Sequence, residues 1–314
     1  MKKRLFILLL VLAAFASCRK QVDDFEYPDF EATPTLNAIL AEGKPVWAQV
    51  SLTQRLDSIH PTICSDAEVL LFVDGQFAER LQFDAETQLY HGQTLPECGR
   101  QYGCKVIVPG HDTLSAFTVM PERPIYKGVE IIENAIVNDE GEACPAFLLT
   151  FKTDPTQRLY YQASIWTDLA SCDGKCRYSY HGTMHSSYNA DDPVLMNEGS
   201  EMLVFSNELI HDSIYTMKIN GYFTNQSWSY GGNMESEIEP LHGKIVVHME
   251  GLCESYYRYL KSYYSHFEID GYSNLFIGTI APVNHYGNVD NGLGIFGGCA
   301  SFTSDTIFYN MEGI

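Results

Sequence analysis

The sequence predicts a mainly β protein of two β-sandwich units: an immunoglobulin-like sandwich over residues 34–121 and a larger β domain over 125–314 that carries one helix at 255–267. Three observations predict it. The 314 residues hold 20 Tyr and 17 Phe but only 19% charged side chains, a bias toward residues that suit a pleated, half-buried surface. Short segments alternate apolar and polar residues, and turn pairs separate them. One stretch stands out with the apolar period of an amphipathic helix.

In the first unit, residues 35–41 and 46–53 alternate, with Val46, Ala48, Val50 and Leu52 on one face. Leu70–Val73 is apolar and ends at Asp74-Gly75, a hairpin signal. Phe77–Phe83, Gln88–His91, Gln101–Val108 and Thr113–Met120 follow, the last two separated by the turn pair Pro109-Gly110. Seven short strands with turns between them fit an immunoglobulin-like sandwich. Pro121-Glu122-Arg123-Pro124 then forms a semi-stiff joint.

In the second unit, Val129–Ile136, Ala146–Lys152 and Leu159–Trp166 read as strands. Residues 168–200 lack periodicity and read as a long loop, a feature that is usually functional or mobile. Met202–Phe205, Ser213–Phe223 and Lys244–Glu250 are further strands, and 224–238 is a second irregular stretch. Tyr178, Tyr180, Tyr188, Trp228 and Tyr230 in these two loops are the expected ligand or partner contacts, since aromatics join a large contact area to a polar handle. In the helix, Ser255 is the expected N-cap. Tyr256, Leu260, Tyr263 and Phe267 fall on one face, which reads as packing against a sheet.

The first residues give an address. Lys2-Lys3-Arg4 is a basic start, and Leu5–Phe15 is apolar but too short to span a bilayer. Ala16-Ser17-Cys18 follows and resembles the end of a bacterial lipoprotein signal. Residues 1–17 would be removed, Cys18 lipidated, and 18–33 left as a tether. Several acyl chains on one residue anchor stably. Losing Lys2, Lys3 and Arg4 takes the net charge from −20 to −23, which repels phosphate backbones and argues against nucleic acid as a partner. Asp23-Asp24-Phe25-Glu26 looks like a surface-export signal of Bacteroidota lipoproteins.

Eight cysteines remain: Cys64, Cys98, Cys104, Cys144, Cys172, Cys176, Cys253 and Cys299. An even number in an exported chain suggests disulfides. Cys172-Asp-Gly-Lys-Cys176 is a plausible local bridge, and Cys98 and Cys104 are also close in sequence. The pairing is open. Neither pair has the C-x₂-C spacing of a zinc site.

No catalytic constellation, metal site or cofactor is expected. His181 and His185 have zincin spacing, but Gly182 stands where the general-base Glu belongs. A Gly-x-Ser-x-Gly elbow is missing. Asp57-Ser58-Ile59, Asp112-Thr113-Leu114, Asp212-Ser213-Ile214 and Asp305-Thr306-Ile307 look like Bacteroidota O-glycosylation sites, although turn-to-strand junctions favour the same pattern.

The most specific pattern lies in the last third. Ser255-Tyr256-Tyr257-Arg258-Tyr259-Leu260-Lys261-Ser262 leads to Pro282-Val283-Asn284 and then to Asn291-Gly292-Leu293-Gly294-Ile295-Phe296-Gly297-Gly298. Asp154-Pro155 before Leu159-Tyr160-Tyr161, and Phe205-Ser206-Asn207-Glu208-Leu209 before Tyr215, are weaker echoes. Together they resemble the Bacteroidota lipoproteins grouped as domain of unknown function 4249. The resemblance implies an outer-membrane lipoprotein associated with a TonB-dependent transporter, and it brings no catalytic residues. The glycines would let a tight terminal turn pack beneath the tyrosine helix. The expected function is a non-catalytic accessory or ligand-binding protein; the alternative is a structural or adhesive surface protein.

Overall fold

The computed structural model describes residues 30–55, 62–137, 141, 143–172, 176–184, 190–199, 202–221, 226–230, 239–273 and 284–310. Thr33–Ile314 forms one compact unit. The architecture is mainly β, as the aromatic, alternating sequence predicts.

The first half contributes β1 (Pro34–Ala41), β2 (Trp47–Leu52), β3 (Thr62–Ile63), β4 (Glu68–Val73), β5 (Gln76–Asp84), β6 (Leu89–His91), β7 (Gln101–Ile107) and β8 (Leu114–Val119). All seven strands expected before Pro121 are present, with β3 added. Alternate residues point inward: Leu36, Ala38 and Leu40 on β1, Ala48 and Val50 on β2, Val69 and Leu71 on β4, and Tyr102, Cys104 and Val106 on β7. The buried Tyr90 hydroxyl finds partners, as such a core requires. The Tyr90 hydroxyl accepts from the Ala67 amide at 3.0 Å and donates to the Cys64 carbonyl at 2.5 Å. The Asp74-Gly75 hairpin has both residues at positive φ, 49° and 77°, the requirement of a tight two-residue turn.

The second half adds β9 (Ile125–Val137), β10 (Ala143–Lys152), β11 (Tyr160–Cys172), β12 (Cys176–Met184), α1 (Pro193–Glu198), β13 (Val204–Ser206), β14 (Ile214–Asn220), β15 (Gln226–Tyr230), β16 (Glu239–Leu252), α2 (Glu254–Ser273), β17 (Leu293–Thr303) and β18 (Ile307–Tyr309). The sheet β14–β10–β9 faces the β11–β16 part of the large sheet. Phe147, Leu149 and Phe151 of β10 and Met217 and Ile219 of β14 meet Tyr161, Ile165, Val247 and Met249 in a second core. Phe151 stands at its centre, with ring centroids 5.4–6.1 Å from Tyr161, Phe205 and Tyr215.

Strand β17 ties the halves together. It runs antiparallel to β16 and parallel to β1, with Leu36 opposite Gly294 and Leu40 opposite Gly298. It also delivers Phe296 to the first core. The glycine run is therefore a strand, not the expected terminal turn. Close approach explains its composition. Gly294 has φ +109°, and a Cβ there would fall inside the Leu36 carbonyl oxygen; at Gly297 a Cβ would stand 2.8 Å from Tyr256 Cβ. The expected packing beneath the tyrosine helix holds at Gly297.

Three other expectations are corrected. The 168–200 loop is largely ordered: β11 continues to Cys172, β12 returns beside it, and α1 follows. Residues 226–230 of the second loop form β15, which pairs with β12. Backbone ladders hold this polar ribbon, so apolar alternation did not announce it. The helix begins at Glu254, and its N-cap is Cys253 rather than Ser255. Cys253 Sγ receives the Tyr256 amide at 3.4 Å, while the Ser255 hydroxyl reaches the Phe296 carbonyl at 3.4 Å.

Candidate functional site

A groove runs along the N-terminal half of α2. It comprises two adjoining cavities of about 530 Å³ each that share Arg258 and Tyr286. Phe117–Pro121, from β8 and the joint, line one end; Asn197, Glu198, Ser206 and Glu208 line the other. Arg158 comes from the turn before β11 and Tyr160 from its first position, and Glu254, Tyr257, Arg258 and Lys261 come from α2.

Each side chain is held by its neighbours. The rings of Tyr160 and Tyr257 stack with centroids 4.5 Å apart. The Tyr257 hydroxyl donates to Glu198 Oε2 at 2.6 Å, and Glu198 Oε1 accepts the Ser206 amide at 2.6 Å. Lys261 Nζ reaches the Glu198 carbonyl at 2.7 Å and its Oε2 at 3.3 Å. Arg158 pairs with Glu208 at 2.7 Å. The Arg258 guanidinium lies 4.3 Å from the Tyr286 ring centroid and 3.8 Å from Glu254. Asn288 clamps the floor, exchanging two 2.9 Å bonds with the Phe296 backbone.

The electrostatics are local. Arg158, Arg258 and Lys261 balance Glu198, Glu208 and Glu254 within a chain of net charge −20. An acidic partner is repelled less here than over the surface at large. Burial, then the Glu198 carboxylate, raises the Tyr257 hydroxyl above the usual tyrosine range, so it stays a hydrogen-bond donor. Tyrosine faces with committed charges suit recognition, in which rigid aromatics carry contact energy.

The sequence-predicted contacts lie elsewhere. In the β12–β15 ladder Tyr178 is opposite Trp228, and Cys176 is opposite Tyr230. Tyr178 and Tyr180 pair across β11 with Ser171 and Leu169. These aromatics therefore occupy one edge ribbon rather than loop tips. The side chains of Cys176, Tyr178, Tyr180, Trp228 and Tyr230 lie outside the described residues, as do Cys18, Tyr188, His185 and Asp57–Ile59. Of the helix stripe, Tyr256 and Leu260 pack on the β17 side, where Leu260 meets Leu252 and Cys299. The groove uses the neighbouring positions Tyr257, Arg258 and Lys261. A Tyr-Arg-x-x-Lys pattern one step off the apolar stripe was the available signal.

Cys98 and Cys104, close in sequence, are placed apart. Cys98 and Cys104 do not bridge, and Cys64, Cys172, Cys253 and Cys299 are also thiols in this structure. Cys104 faces the first core, whereas Cys98 sits at the rim beside Glu42 and Glu122. Cys144 is buried on β10. Cys253 and Cys299 lie near one another, where the Gly298 amide donates to Cys253 Sγ at 3.1 Å. Thr113, Ser213 and Thr306 are exposed immediately before β8, β14 and β18.

A β17 strand seated beside β1, glycine-rich under a tyrosine helix, accounts for the motif that is most distinctive in the sequence. The chain belongs to the family described as domain of unknown function (DUF4249), which it matches over residues 23–305. No curated protein matches the sequence. Solved structures similar to this DUF4249 chain include one described as a membrane-anchored protein from Corynebacterium diphtheriae, 11% identical, with TM-score 0.22 over 73% of this chain and 56% of that one. Another is a glycosyl hydrolase family 2 member from Bacteroides cellulosilyticus DSM 14838, 12% identical, with TM-score 0.21 over 69% of this chain and 27% of that one. Likeness at that level carries no argument about function. Among the described residues, no helix is long and apolar enough to cross a membrane.

Proposed function

We propose that this DUF4249 protein is a lipid-anchored accessory protein of the outer membrane, displayed at the cell surface, that binds a ligand or partner without transforming it. Its partner on this reading is a TonB-dependent transporter, as the family resemblance implies. The groove carries the binding part: stacked Tyr160 and Tyr257 stand beside Arg158 and Lys261, each paired with a carboxylate, and beside Arg258, which lies over the Tyr286 ring. The segment from Lys2 to Cys18 supports the address.

Two experiments test it. Labelled palmitate should enter the full chain and be lost in Cys18→Ala. Tagged protein from mildly solubilised membranes should bring down a stoichiometric β-barrel, and Arg258→Glu with Tyr160→Ala should release it. Recovery of the wild type alone would sink the transporter reading. One observation favours the adhesive alternative. Phe77 and Phe117 are 60% and 67% exposed on the outer face of the β5–β4–β7–β8 sheet, where Phe72 and Gly103 lie between them in register. Self-association that Phe117→Ser abolishes, seen by sedimentation, would support that alternative.

A further inference from the structure

Strand β11 turns alternate residues to its outer face. At one end α2 covers them: Tyr160 stacks on Tyr257, and Gln162 Nε2 reaches Tyr264 Oη at 3.4 Å. Further along, the outward positions are Trp166 and Asp168. The register sets Asp168 opposite His181 on β12 and opposite Lys244 on β16. These side chains face solvent, with 47% of Asp168, 67% of His181 and 42% of Lys244 exposed. Asp168 Oδ1 lies 3.5 Å from His181 Nδ1, and its Oδ2 lies 3.4 Å from Lys244 Nζ. The His181 ring stands edge-on to the half-buried Trp166 at 5.8 Å and 81°. Lys244 Nζ is 5.7 Å from the indole centroid.

We propose that this cluster is a second binding site, separate from the α2 groove, for a neutral glycan chain. The class of ligand follows from the chemistry. Trp166 offers the broadest apolar face of any side chain, and a pyranose ring presents a matching C–H face. Lys244 Nζ lies over the indole near the outer limit of cation–π range, so a ring that stacks on that face displaces only a weak contact. Asp168 and Lys244 cancel in charge. An anionic ligand would meet a carboxylate on an acidic protein, and a cationic ligand would meet the ammonium. Hydroxyl groups suit both, because they donate to the carboxylate and accept from the ammonium.

The existing contacts of 3.4–3.5 Å lie beyond the usual hydrogen-bond range. Asp168, Lys244 and His181 can therefore take new partners at little cost. Phe308, 54% exposed, lies opposite Lys244 on β18. It is two strand spacings from the β11 ladder, roughly 10 Å. A second aromatic at that distance fits an oligosaccharide better than a single sugar.

The test uses the full chain, extracted from membranes in a sugar-free detergent. Probes are neutral hexasaccharides of glucose, xylose and mannose and the corresponding monosaccharides. Binding is read by affinity electrophoresis and tryptophan emission. At least one hexasaccharide should bind, fivefold or more tighter than its monosaccharide. Trp166→Ala should weaken it at least twentyfold, Asp168→Asn and Lys244→Met at least fivefold each. Phe308→Ala should remove the preference for the longer chain, and Tyr160→Ala in the groove should leave binding unchanged. Should Trp166→Ala fail to fold, Asp168→Asn carries the test. Failure of all three hexasaccharides to bind would overturn the proposal, as would binding that the Trp166 and Asp168 variants retain.

Discussion

The two cores of this protein are built on different plans. The first is assembled from strands of two to nine residues, and it is completed by a strand from the far end of the chain. The second is made of strands up to 14 residues long, with an aromatic cluster at its centre and most of its contacts supplied from 125–252. The first core is local in sequence except at one seam. The second is less dependent on that seam, and its outer face is free to carry the α2 groove and the Trp166 cluster.

The largest expected effect breaks the second core alone. Phe151 is fully buried among three aromatic rings. Phe151→Ala should cost about 3–5 kcal/mol, read as a lower urea midpoint. Hydrogen exchange should speed at Ile165 and Val247 while Val69 and Val106 stay protected. Equal loss of protection in both cores would show that they unfold as one. Gly294→Ala strikes the seam instead. A Cβ at φ +109°, against the Leu36 carbonyl, should cost about 3 kcal/mol through backbone strain and lost pairing. Here the pattern should invert, with Leu36 and Val50 exchanging first.

That contrast also explains what could be read from the sequence. Every strand before Pro121 except the two-residue β3 was legible, because one face is buried and alternation follows. Much of β9, β10, β14 and β16 was legible for the same reason. The β12–β15 ribbon was not: its order comes from backbone pairing to β11, which leaves no trace in the side-chain period. Strand β17 was missed because glycine selected for close approach looks like glycine selected for turns. The short α1 had its signals, with Asp192 accepting the Val194 amide at 3.0 Å, Pro193 following, and Gly199 at φ 64° closing. They sit inside a stretch without periodicity, which reads as loop. The groove was hidden for another reason. Arg158, Glu208 and Arg258 are unremarkable surface residues until β11, β13 and α2 bring them together.

Asn207 tests how the second core supports the groove. It is 4% exposed. Its amide donates to Thr153 Oγ1 at 3.2 Å and to the Asp154 and Gln157 carbonyls at 2.9 Å each, and its Oδ1 accepts from the Leu159 amide at 2.9 Å. It therefore holds the turn that presents Arg158. Asn207→Ala leaves several buried groups unpaired and should cost about 2–3 kcal/mol. Thermal unfolding would measure it, and a change below about 1 kcal/mol would mean that water replaces the amide.

The gentlest probe compares thiols across the regions. Burial holds Cys104 in the first core up at about 12. Burial, with Glu250 and Cys253 beside it, holds Cys299 at the seam up at about 12. Burial and the Glu42 carboxylate raise Cys98 at the rim to about 11. The thiolate is the reactive form, so a raised pKa means less of it at neutral pH. At pH 8 alkylation of Cys98 should run roughly a hundredfold slower than for an ordinary thiol and climb tenfold per pH unit toward pH 11. Cys104 and Cys299 are shielded as well, so their labelling should follow opening of the structure rather than pH. Mass-resolved labelling of Phe151→Ala and Gly294→Ala then separates the two plans. Gly294→Ala should expose Cys299 and Cys104 together, because the seam closes the first core. Phe151→Ala should leave Cys104 protected. If Cys104 instead reacts in both variants at one rate, the first core has no stability of its own.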